Sequence, residues 1–276
     1  MITNQEIGYN GRLGNQIFQY AVLLNLADKL NTEVVLPLKN HDIKQDGCFD
    51  YSTNNWIPYK LDLYDCFKIT TKQSNNIDIK NIYKEPHFNY SDTINSVTDS
   101  TSVEGYFQSE KYFIDSKEKV LSEFVFKDEI ETEATSFIND VKNSVNNKKI
   151  VGIHVRRGDA IINPTFFLLG VEYFVSCITK YFTDDEYAFI FISDDIEWCK
   201  NTFDSADNVF FSGKSSFVDL CIMSKCDHNI ISNSSYSWWG AYLNKNKNKK
   251  VISPSKWFKN KSIIMKDLYC ENWIIE

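Results

Sequence analysis

The chain has 276 residues, 43% of them hydrophobic and 15% aromatic, so it can bury substantial cores and is too apolar to be disordered. Its apolar residues are too interrupted for a membrane span, and the N-terminus lacks the basic stretch and apolar run of a secretory signal. The formal net charge of −7 argues against general nucleic-acid binding, which needs clustered Lys and Arg. We therefore expect a globular cytoplasmic protein without a membrane span, and peripheral contact with a membrane stays open.

The first half of the chain predicts a strand–turn–helix–strand unit followed by a long irregular region. Apolar residues at helical spacing follow a glycine-rich turn, whereas residues 40–100 are rich in Asn, Asp, Tyr and Ser and show no sustained period. The predicted elements are strands over residues 2–7, 33–38 and 103–107, and helices over about 15–30, from about 111, and over about 129–145.

The second half of the chain has the regular alternation of a parallel α/β sheet. Short apolar runs alternate with helical stretches there, as in a Rossmann-like domain. The polar residues 146–149 separate the two patterns, so we predict domains over 1–147 and 148–276, with the C-terminal tail able to pack back on the first. The predicted strands cover residues 150–155, 187–192, 208–211, 229–232 and 250–252.

Metal and disulfide chemistry find little support in the sequence. The seven cysteines are odd in number and form no C-x-x-C pair, so we expect buried, reduced side chains. The four histidines do not pair at ligand spacing, and no D-x-D occurs. We expect neither a metal site nor a cofactor.

Arginine is confined to two short stretches of the sequence. Only three of the 30 basic residues are Arg, namely Arg12, Arg156 and Arg157. The planar guanidinium binds oxyanions in a way that Lys cannot reproduce, so these positions predict phosphate binding. Arg156 follows a predicted buried strand, at the edge where parallel sheets bind ligands, and is the foremost candidate. The alternative is a structural ion pair with Asp159, which Arg157 could also form.

Other polar residues follow the same set of predicted strands. His154 lies within the strand before Arg156 and is either a nucleotide contact or a core histidine. Asp194 and Asp195 follow the next strand; one could accept hydrogen bonds from a guanine edge while the other caps a helix, and the sequence does not decide which.

A third polar cluster precedes a predicted helix over residues 238–243. Ser234, Ser235 and Tyr236 stand just before it, so the hydroxyls could cap the helix, bind phosphate at its N-terminus, or both. In the first half, Arg12 and Asn15 lie in a glycine-rich turn between strand and helix, where backbone can approach an anion closely.

Four motifs in order resemble the bacterial α1,2-fucosyltransferases of glycosyltransferase family 11. They are GRLGNQIFQYA (residues 11–21), GYFQSEKYF (105–113), HVRRGD (154–159) and SNSSYSWWGAYL (232–243). The resemblance covers most of the chain, and four motifs in the expected order are a specific signal.

The resemblance implies a GT-B-like α/β fold, with two Rossmann-like domains facing a cleft. It also implies that L-fucose is transferred from GDP-fucose with inversion, without a metal ion and without a cofactor. The implied acceptor is a galactoside hydroxyl, O2 in this family, on an oligosaccharide or surface glycan. Under this hypothesis Arg156 and Asp159 are catalytic, and Gln108 and Ser109 lie on the acceptor side. The implied donor-binding residues are Arg12, Asn15, His154, Arg157, Asp194, Asp195, Ser234, Ser235 and Tyr236.

Two other functions fit the same residues. A GT-B enzyme could use a different nucleotide sugar, because phosphate recognition does not specify the hexose. A nucleotide-sugar- or glycan-binding protein could keep Arg156 and lack transfer activity. Donor turnover separates these hypotheses.

Overall fold

The computed structural model describes residues 1–38, 47–50, 55–58, 60–203 and 206–276. The chain forms two compact units. Of the described residues, those within 1–127 and Ser262–Cys270 form the first unit, and those within 128–261 and Glu271–Glu276 form the second.

The first unit contains a small parallel sheet and one long buried helix. Strand β7 lies between β1 and β6, and both pair with it in parallel. Helix α1 is buried along nearly its whole length and ends at Asn31, which adopts the left-handed conformation typical of a helix C-cap. The elements are β1 (Ile2–Thr3), α1 (Leu13–Leu30), β2 (Leu36–Pro37), β3 (Gly47–Asp50), β4 (Asn55–Pro58), α2 (Leu63–Cys66), β5 (Gln73–Ser74), β6 (Asn81–Lys84), β7 (Thr101–Glu104) and α3 (Lys117–Glu123).

Several first-half predictions are wrong in extent. The strand predicted over residues 2–7 ends at Thr3, because the chain turns from residue 5 onward. The region predicted to be irregular contains α2, β5 and β6, which are too short to give a periodic signal. Residues 40–46, 51–54 and 59 of that region lie outside the described residues.

The second unit is built on a parallel sheet of six strands in the order β10-β9-β8-β11-β12-β13. All five predicted strands of this half are present, and β13 is an edge strand that sequence reasoning missed. The elements are α4 (Asp128–Ser144), β8 (Lys149–Val155), α5 (Val171–Tyr181), β9 (Tyr187–Ser193), α6 (Ile196–Phe203), β10 (Val209–Ser212), α7 (Ser216–Lys225), β11 (His228–Ile230), α8 (Ser235–Tyr242), β12 (Val251–Ser253) and β13 (Ile274–Ile275).

Helix α4 belongs to the second unit, although the sequence pattern put it before the domain boundary. The compact units divide between residues 127 and 128, whereas the prediction divides the chain between 147 and 148. Residues 262–270 group with the first unit and 271–276 with the second, so the chain passes between the units again near its C-terminus.

Apolar side chains fill the second unit on both faces of its sheet. Phe191 on β9 stacks on Phe203 of α6 with ring centroids 4.3 Å apart. Trp238 and Trp239 of α8 are fully buried, which agrees with the packing expected of aromatic residues in that helix. The sheet is thus fixed from both sides, and the carboxyl ends of its strands share one edge.

The cysteine prediction is confirmed for five residues and wrong for one. Burial raises the pKa of several of these thiols, Cys199 to about 11 among them. Cys270 is only partly buried, and the side chain of Cys48 lies outside the described part of the protein. The buried residues are Cys66, Cys177, Cys199, Cys221 and Cys226.

None of the helices in the described residues combines the length and apolar character needed to cross a bilayer.

Close packing around β8 gives a stability prediction. A Cβ added to Gly152 would lie 2.8 Å from Cys226 Sγ and 3.2 Å from Asn229 Nδ2. We expect Gly152→Ala to lower the free energy of unfolding by ~1–3 kcal/mol, measured by urea denaturation. Gly213→Ala is the control, because its Cβ would meet none of the described atoms within 4 Å. Equal stability of the two variants would contradict tight packing at β8.

Candidate active site

The Arg156 guanidinium is held in place at the carboxyl end of β8. Its Nε and Nη2 donate to the two carboxylate oxygens of Asp159 at 3.1 and 2.8 Å, and Nη1 donates to the Asn233 carbonyl at 2.8 Å. The guanidinium carbon lies 3.9 Å from the centroid of the Phe166 ring. These bonds use three of its five N–H groups. The ion pair considered as a structural alternative is therefore present, and it fixes the orientation of the cation.

The loop after β11 supports the end of β8. Ser232 Oγ donates to the His154 carbonyl and accepts from the Arg156 N–H at 3.1 Å. Asn233 Nδ2 donates to the carbonyls of Phe167 and Trp257 at 2.7 and 2.8 Å. Ser232 and Asn233 thus position the arginine, a role that sequence reasoning did not assign to them.

Arg157 pairs with Asp195, so of the two pairings considered for Asp159 the structure shows the one with Arg156. Its Nε donates to Asp195 Oδ2 at 3.1 Å, and its guanidinium carbon lies 3.8 Å from the Trp198 ring centroid. Asp195 Oδ1 accepts from the Trp198 N–H at the start of α6. Arg157 and Asp195 therefore brace the loop to α6.

Asp194 holds the backbone of the same loop. Its carboxylate accepts from the Arg157 N–H at 2.8 Å and from the Gly158 N–H. Burial raises the pKa of Asp194 above its usual value, and these backbone donors oppose the shift only in part. A Cβ at Gly158 would lie 2.5 Å from Asp194 Oδ2, so glycine permits this approach. With Asp194 and Asp195 both engaged by the loop, their geometry favours supporting roles over recognition of guanine.

His154 is buried beneath this edge of the sheet. Its side chain is 6% exposed, and burial, with a smaller effect of the Arg156 charge, lowers its pKa to about 3. Its Nδ1 has no hydrogen-bond partner among the described residues, and its ring centroid lies 5.3 Å from that of Tyr236. The imidazole is therefore neutral at physiological pH and retains a hydrogen-bonding atom.

The hydroxyls at the start of α8 leave the helix uncapped by a side chain. Ser234 occupies the N-cap position without forming the capping bond that the sequence suggested. Ser235 and Tyr236 are partly exposed, and the Tyr236 hydroxyl donates to the Ser216 carbonyl at the start of α7. This helix N-terminus lies at the carboxyl edge of the sheet, where an anion is favoured.

Asp219 is a buried carboxyl at the same edge that sequence reasoning missed. It lies in the first turn of α7, is 6% exposed, and forms a hydrogen bond with Ser212 at the end of β10. Burial raises its pKa to about 7. An acidic residue within an otherwise apolar helical stretch was the available signal.

Two motifs meet in the first unit. Asn15 Oδ1 accepts from Gln108 Nε2 at 2.8 Å, while Gln19 Nε2 donates to the carbonyls of Asn10 and Gly105 at 3.1 and 2.9 Å. Gly11 has φ 101° and lies so close to Asn15 that a Cβ would clash with it. The GRLGNQ turn and the GYFQ loop thus form one hydrogen-bonded assembly.

The remaining candidates of this unit differ in exposure. Arg12 is exposed at the start of α1, and Gln108 is partly buried. Ser109 is fully buried, and its Oγ accepts from the Lys111 N–H at 3.3 Å. We correct its expected role, because a buried hydroxyl that caps a turn does not face an acceptor.

Within the described part of the chain, no three His, Cys, Asp or Glu side chains gather as a metal-binding group.

The buried side chains of His154 and Asp219 should make the free energy of unfolding respond to pH in opposite directions. His154 has a folded pKa of about 3 against 6.5, so the unfolded state binds more protons between these values and stability falls as pH falls. Asp219 has a folded pKa of about 7 against 3.8, so the folded state binds more protons there and stability rises as pH falls. In the wild type the two effects offset each other.

Single substitutions separate the two effects. As the pH falls from 6 to 4, we expect the free energy of unfolding of Asp219→Asn to decrease relative to wild type, and that of His154→Gln to increase. Each change should be ~1.4 kcal/mol per pH unit. Urea unfolding at stepped pH measures both. Parallel pH curves for the wild type and either variant would contradict the corresponding buried group.

Comparison with known proteins assigns the chain to a family. The family model described as glycosyl transferase family 11 matches residues 2–276. The O-antigen biosynthesis glycosyltransferase WbnK of Escherichia coli is 30% identical over 96% of this chain and 98% of that protein. An α-1,2-colitosyltransferase of Escherichia coli is 30% identical over 96% of each chain.

Solved structures agree in fold. The fucosyltransferase NodZ from Bradyrhizobium aligns with a TM-score of 0.54 and 12% identity, over 88% of this chain and 91% of that chain. The α-1,6-fucosyltransferase NodZ co-crystallised with GDP gives a TM-score of 0.52 at 11% identity, over 88% and 92%. At such identities the likeness shows an α/β fold with parallel sheets. The match of the family model to residues 2–276 shows that this protein belongs to glycosyltransferase family 11.

Proposed function

We propose that the protein is an inverting galactoside α1,2-fucosyltransferase, which moves L-fucose from GDP-fucose to the O2 hydroxyl of a galactoside in an oligosaccharide or surface glycan. The observation that carries the proposal is the Arg156 guanidinium, oriented by Asp159 and Asn233 at the carboxyl end of β8. Family membership supports glycosyl transfer. Relatives that are themselves called galactoside α-(1,2)-fucosyltransferases, including one from Homo sapiens, support the donor and the linkage.

In this proposal the second unit binds the donor and the first lies on the acceptor side, in the two-domain arrangement facing a cleft that the family resemblance implies. Nucleotides bind at the carboxyl ends of strands in open α/β sheets, the edge that carries Arg156 and Ser234. Arg12 and Asn15 are the proposed contacts of the first unit with the phosphates. The cytoplasmic location and peripheral membrane contact stay predictions.

The chemical role of Arg156 follows from its surroundings. As the glycosidic bond breaks, negative charge grows on the leaving diphosphate, and a fixed cation stabilises that charge without reorganising. The Phe166 ring against the guanidinium excludes water from one face, which strengthens the interaction. The acceptor hydroxyl attacks the anomeric carbon from the face opposite the diphosphate, so one displacement inverts this carbon. The bond to the diphosphate breaks, GDP leaves, and the hydroxyl proton passes to a base or to solvent.

Asp219 replaces Asp194 and Asp195 as the proposed reader of guanine. Guanine presents a ring N–H and an exocyclic amino group on one edge, and a carboxylate accepts from both. Asp194 and Asp195 are engaged by the loop, whereas the carboxyl of Asp219 is bonded by the Ser212 hydroxyl. Two donors from guanine would favour the ionised form and lower the Asp219 pKa from about 7.

Asp159 could act in one of two ways, by orienting Arg156 or as the general base that takes the proton of the acceptor hydroxyl. Its two bonds to Arg156 support an orienting role. A catalytic role as general base instead requires a carboxylate that can approach the acceptor hydroxyl, whereas both oxygens of Asp159 accept from Arg156. We therefore favour orientation of Arg156.

Asparagine substitution separates these roles. Asp159→Asn keeps one hydrogen-bond acceptor for Arg156, so orientation predicts a fall in kcat of less than about tenfold. Asp159→Ala removes the tether and should cost more. Steady-state kinetics with GDP-fucose measure both variants. If asparagine lowers kcat as far as alanine does, by about 10²-fold or more, Asp159 is the base.

The central test of the proposed function is GDP release from GDP-fucose with a panel of galactosides in the presence of EDTA. We expect acceptor-dependent release that Arg156→Ala lowers by about 10²–10³-fold. Lys149→Ala is the matched control, because Lys149 pairs with Glu186 at the amino end of β8, the opposite edge of the same sheet. Release abolished by EDTA would overturn metal independence.

The donor panel also tests the rival functions. The colitosyltransferase relative favours a nucleotide-linked colitose as the second donor to try. Release only from that or another nucleotide sugar would support an enzyme with a different donor. GDP binding without release from any donor would support a non-catalytic binding protein.

A further inference from the structure

Tyr106 and Phe107 are adjacent aromatic residues with opposite exposure. Tyr106 is 44% exposed and Phe107 is fully buried. Single exposed aromatic side chains are common on proteins, so exposure alone indicates little. The backbone that carries this one sets it apart.

The backbone at this pair is held in an unfavourable conformation. Phe107 has φ 53°, in the left-handed region, which costs a bulky residue on the order of 1–2 kcal/mol. Its neighbour Gly105 could not carry a side chain, because a Cβ would lie 2.4 Å from Glu85 Cβ. Such conformations persist where surrounding structure imposes them, and they cluster at functional sites.

Glu85 imposes the conformation from one side. Its Oε2 accepts from the Tyr106 N–H at 2.7 Å, and both of its oxygens lie 3.1 Å from the Phe107 N–H that donates to them. From the other side, Gln19 donates to the Gly105 carbonyl at 2.9 Å. The loop that carries Tyr106 is thus fixed by a carboxylate and an amide, and Gln108 ties it to Asn15.

We propose that Tyr106 is an aromatic platform for the acceptor, on which the apolar face of a galactose ring stacks, and that Glu85 is the residue that positions it. This inference rests on the proposed function. One face of galactopyranose presents the C–H groups of carbons 3, 4 and 5, which suit an aromatic ring. A platform fixed before binding loses little conformational entropy when the sugar arrives. Gln108, on the same loop, supplies a polar group of the kind that a sugar also needs.

The test compares acceptor and donor kinetics in Tyr106 variants. Tyr106→Ala should raise the acceptor KM about tenfold and leave the GDP-fucose KM and acceptor-free GDP release unchanged, whereas Tyr106→Phe should stay within about twofold of wild type. Ile114→Ala is the matched control, because Ile114 is also 44% exposed in the first unit. An unchanged acceptor KM in Tyr106→Ala would overturn the proposal.

A double-mutant cycle tests the role of Glu85. Glu85→Ala should raise the acceptor KM, Glu85→Gln should restore part of the loss, and Glu85→Ala should add little to Tyr106→Ala, because both changes remove one platform. Fully additive losses would overturn the positioning role. If Glu85→Ala fails to fold, the cycle is run with Glu85→Gln. A wild type inactive with GDP-fucose and every galactoside would refute the proposed function itself, separately from these outcomes.

Discussion

A permanent positive charge at the end of a buried strand is the constraint on which the second unit's site depends. The Arg156 side chain is 15% exposed and cannot give up its proton. Its charge must therefore be matched locally, and Asp159, the Asn233 carbonyl and the Phe166 ring do so together. Asp159 supplies one negative charge, and a diphosphate supplies more. The arrangement thus favours an anionic ligand while remaining stable without one.

The neighbouring arginine, Arg157, is held by the same two kinds of contact as Arg156, a carboxylate and an aromatic ring. Arg157 pairs with Asp195 and lies on Trp198, as Arg156 pairs with Asp159 and lies on Phe166. Carboxylates also bind loop backbone in both units, Asp194 in the second and Glu85 in the first. Acidic side chains therefore have a structural task in this protein, which is to hold loops whose other residues are available to ligands.

The sequence predicted the second unit better than the first, for a physical reason. Strands β8 and β9 are buried on both faces and read as continuous apolar runs, whereas the two-residue strands β1, β2 and β5 contain no period to detect. Arg156 could be identified because it follows such a run. Asp159 could be named as a partner, but whether Arg156 or Arg157 pairs with it depends on how the chain turns at Gly158.

The rest of the site could not be predicted, because the sequence does not show which polar side chains are buried. The sequence does not reveal that Ser109 is enclosed, or that Asp219 lies where its pKa rises to about 7. Both facts come from packing between segments far apart in the chain. The four motifs identified the family, but which motif residues face a ligand and which hold the backbone is visible only in three dimensions.

The return of the chain to the second unit at its C-terminus bears on recombination between relatives. Strand β13 pairs with β12 through Ile274 and Ile275, and the Glu276 N–H donates to the Ser253 carbonyl at 2.9 Å. Residues 262–270, just before, belong to the first unit. A hybrid protein with a single junction between residues 127 and 128 would therefore bring a foreign 262–270 segment to the first unit. Exchange of the whole second unit requires three junctions, one at 127/128 and one on each side of the 262–270 segment.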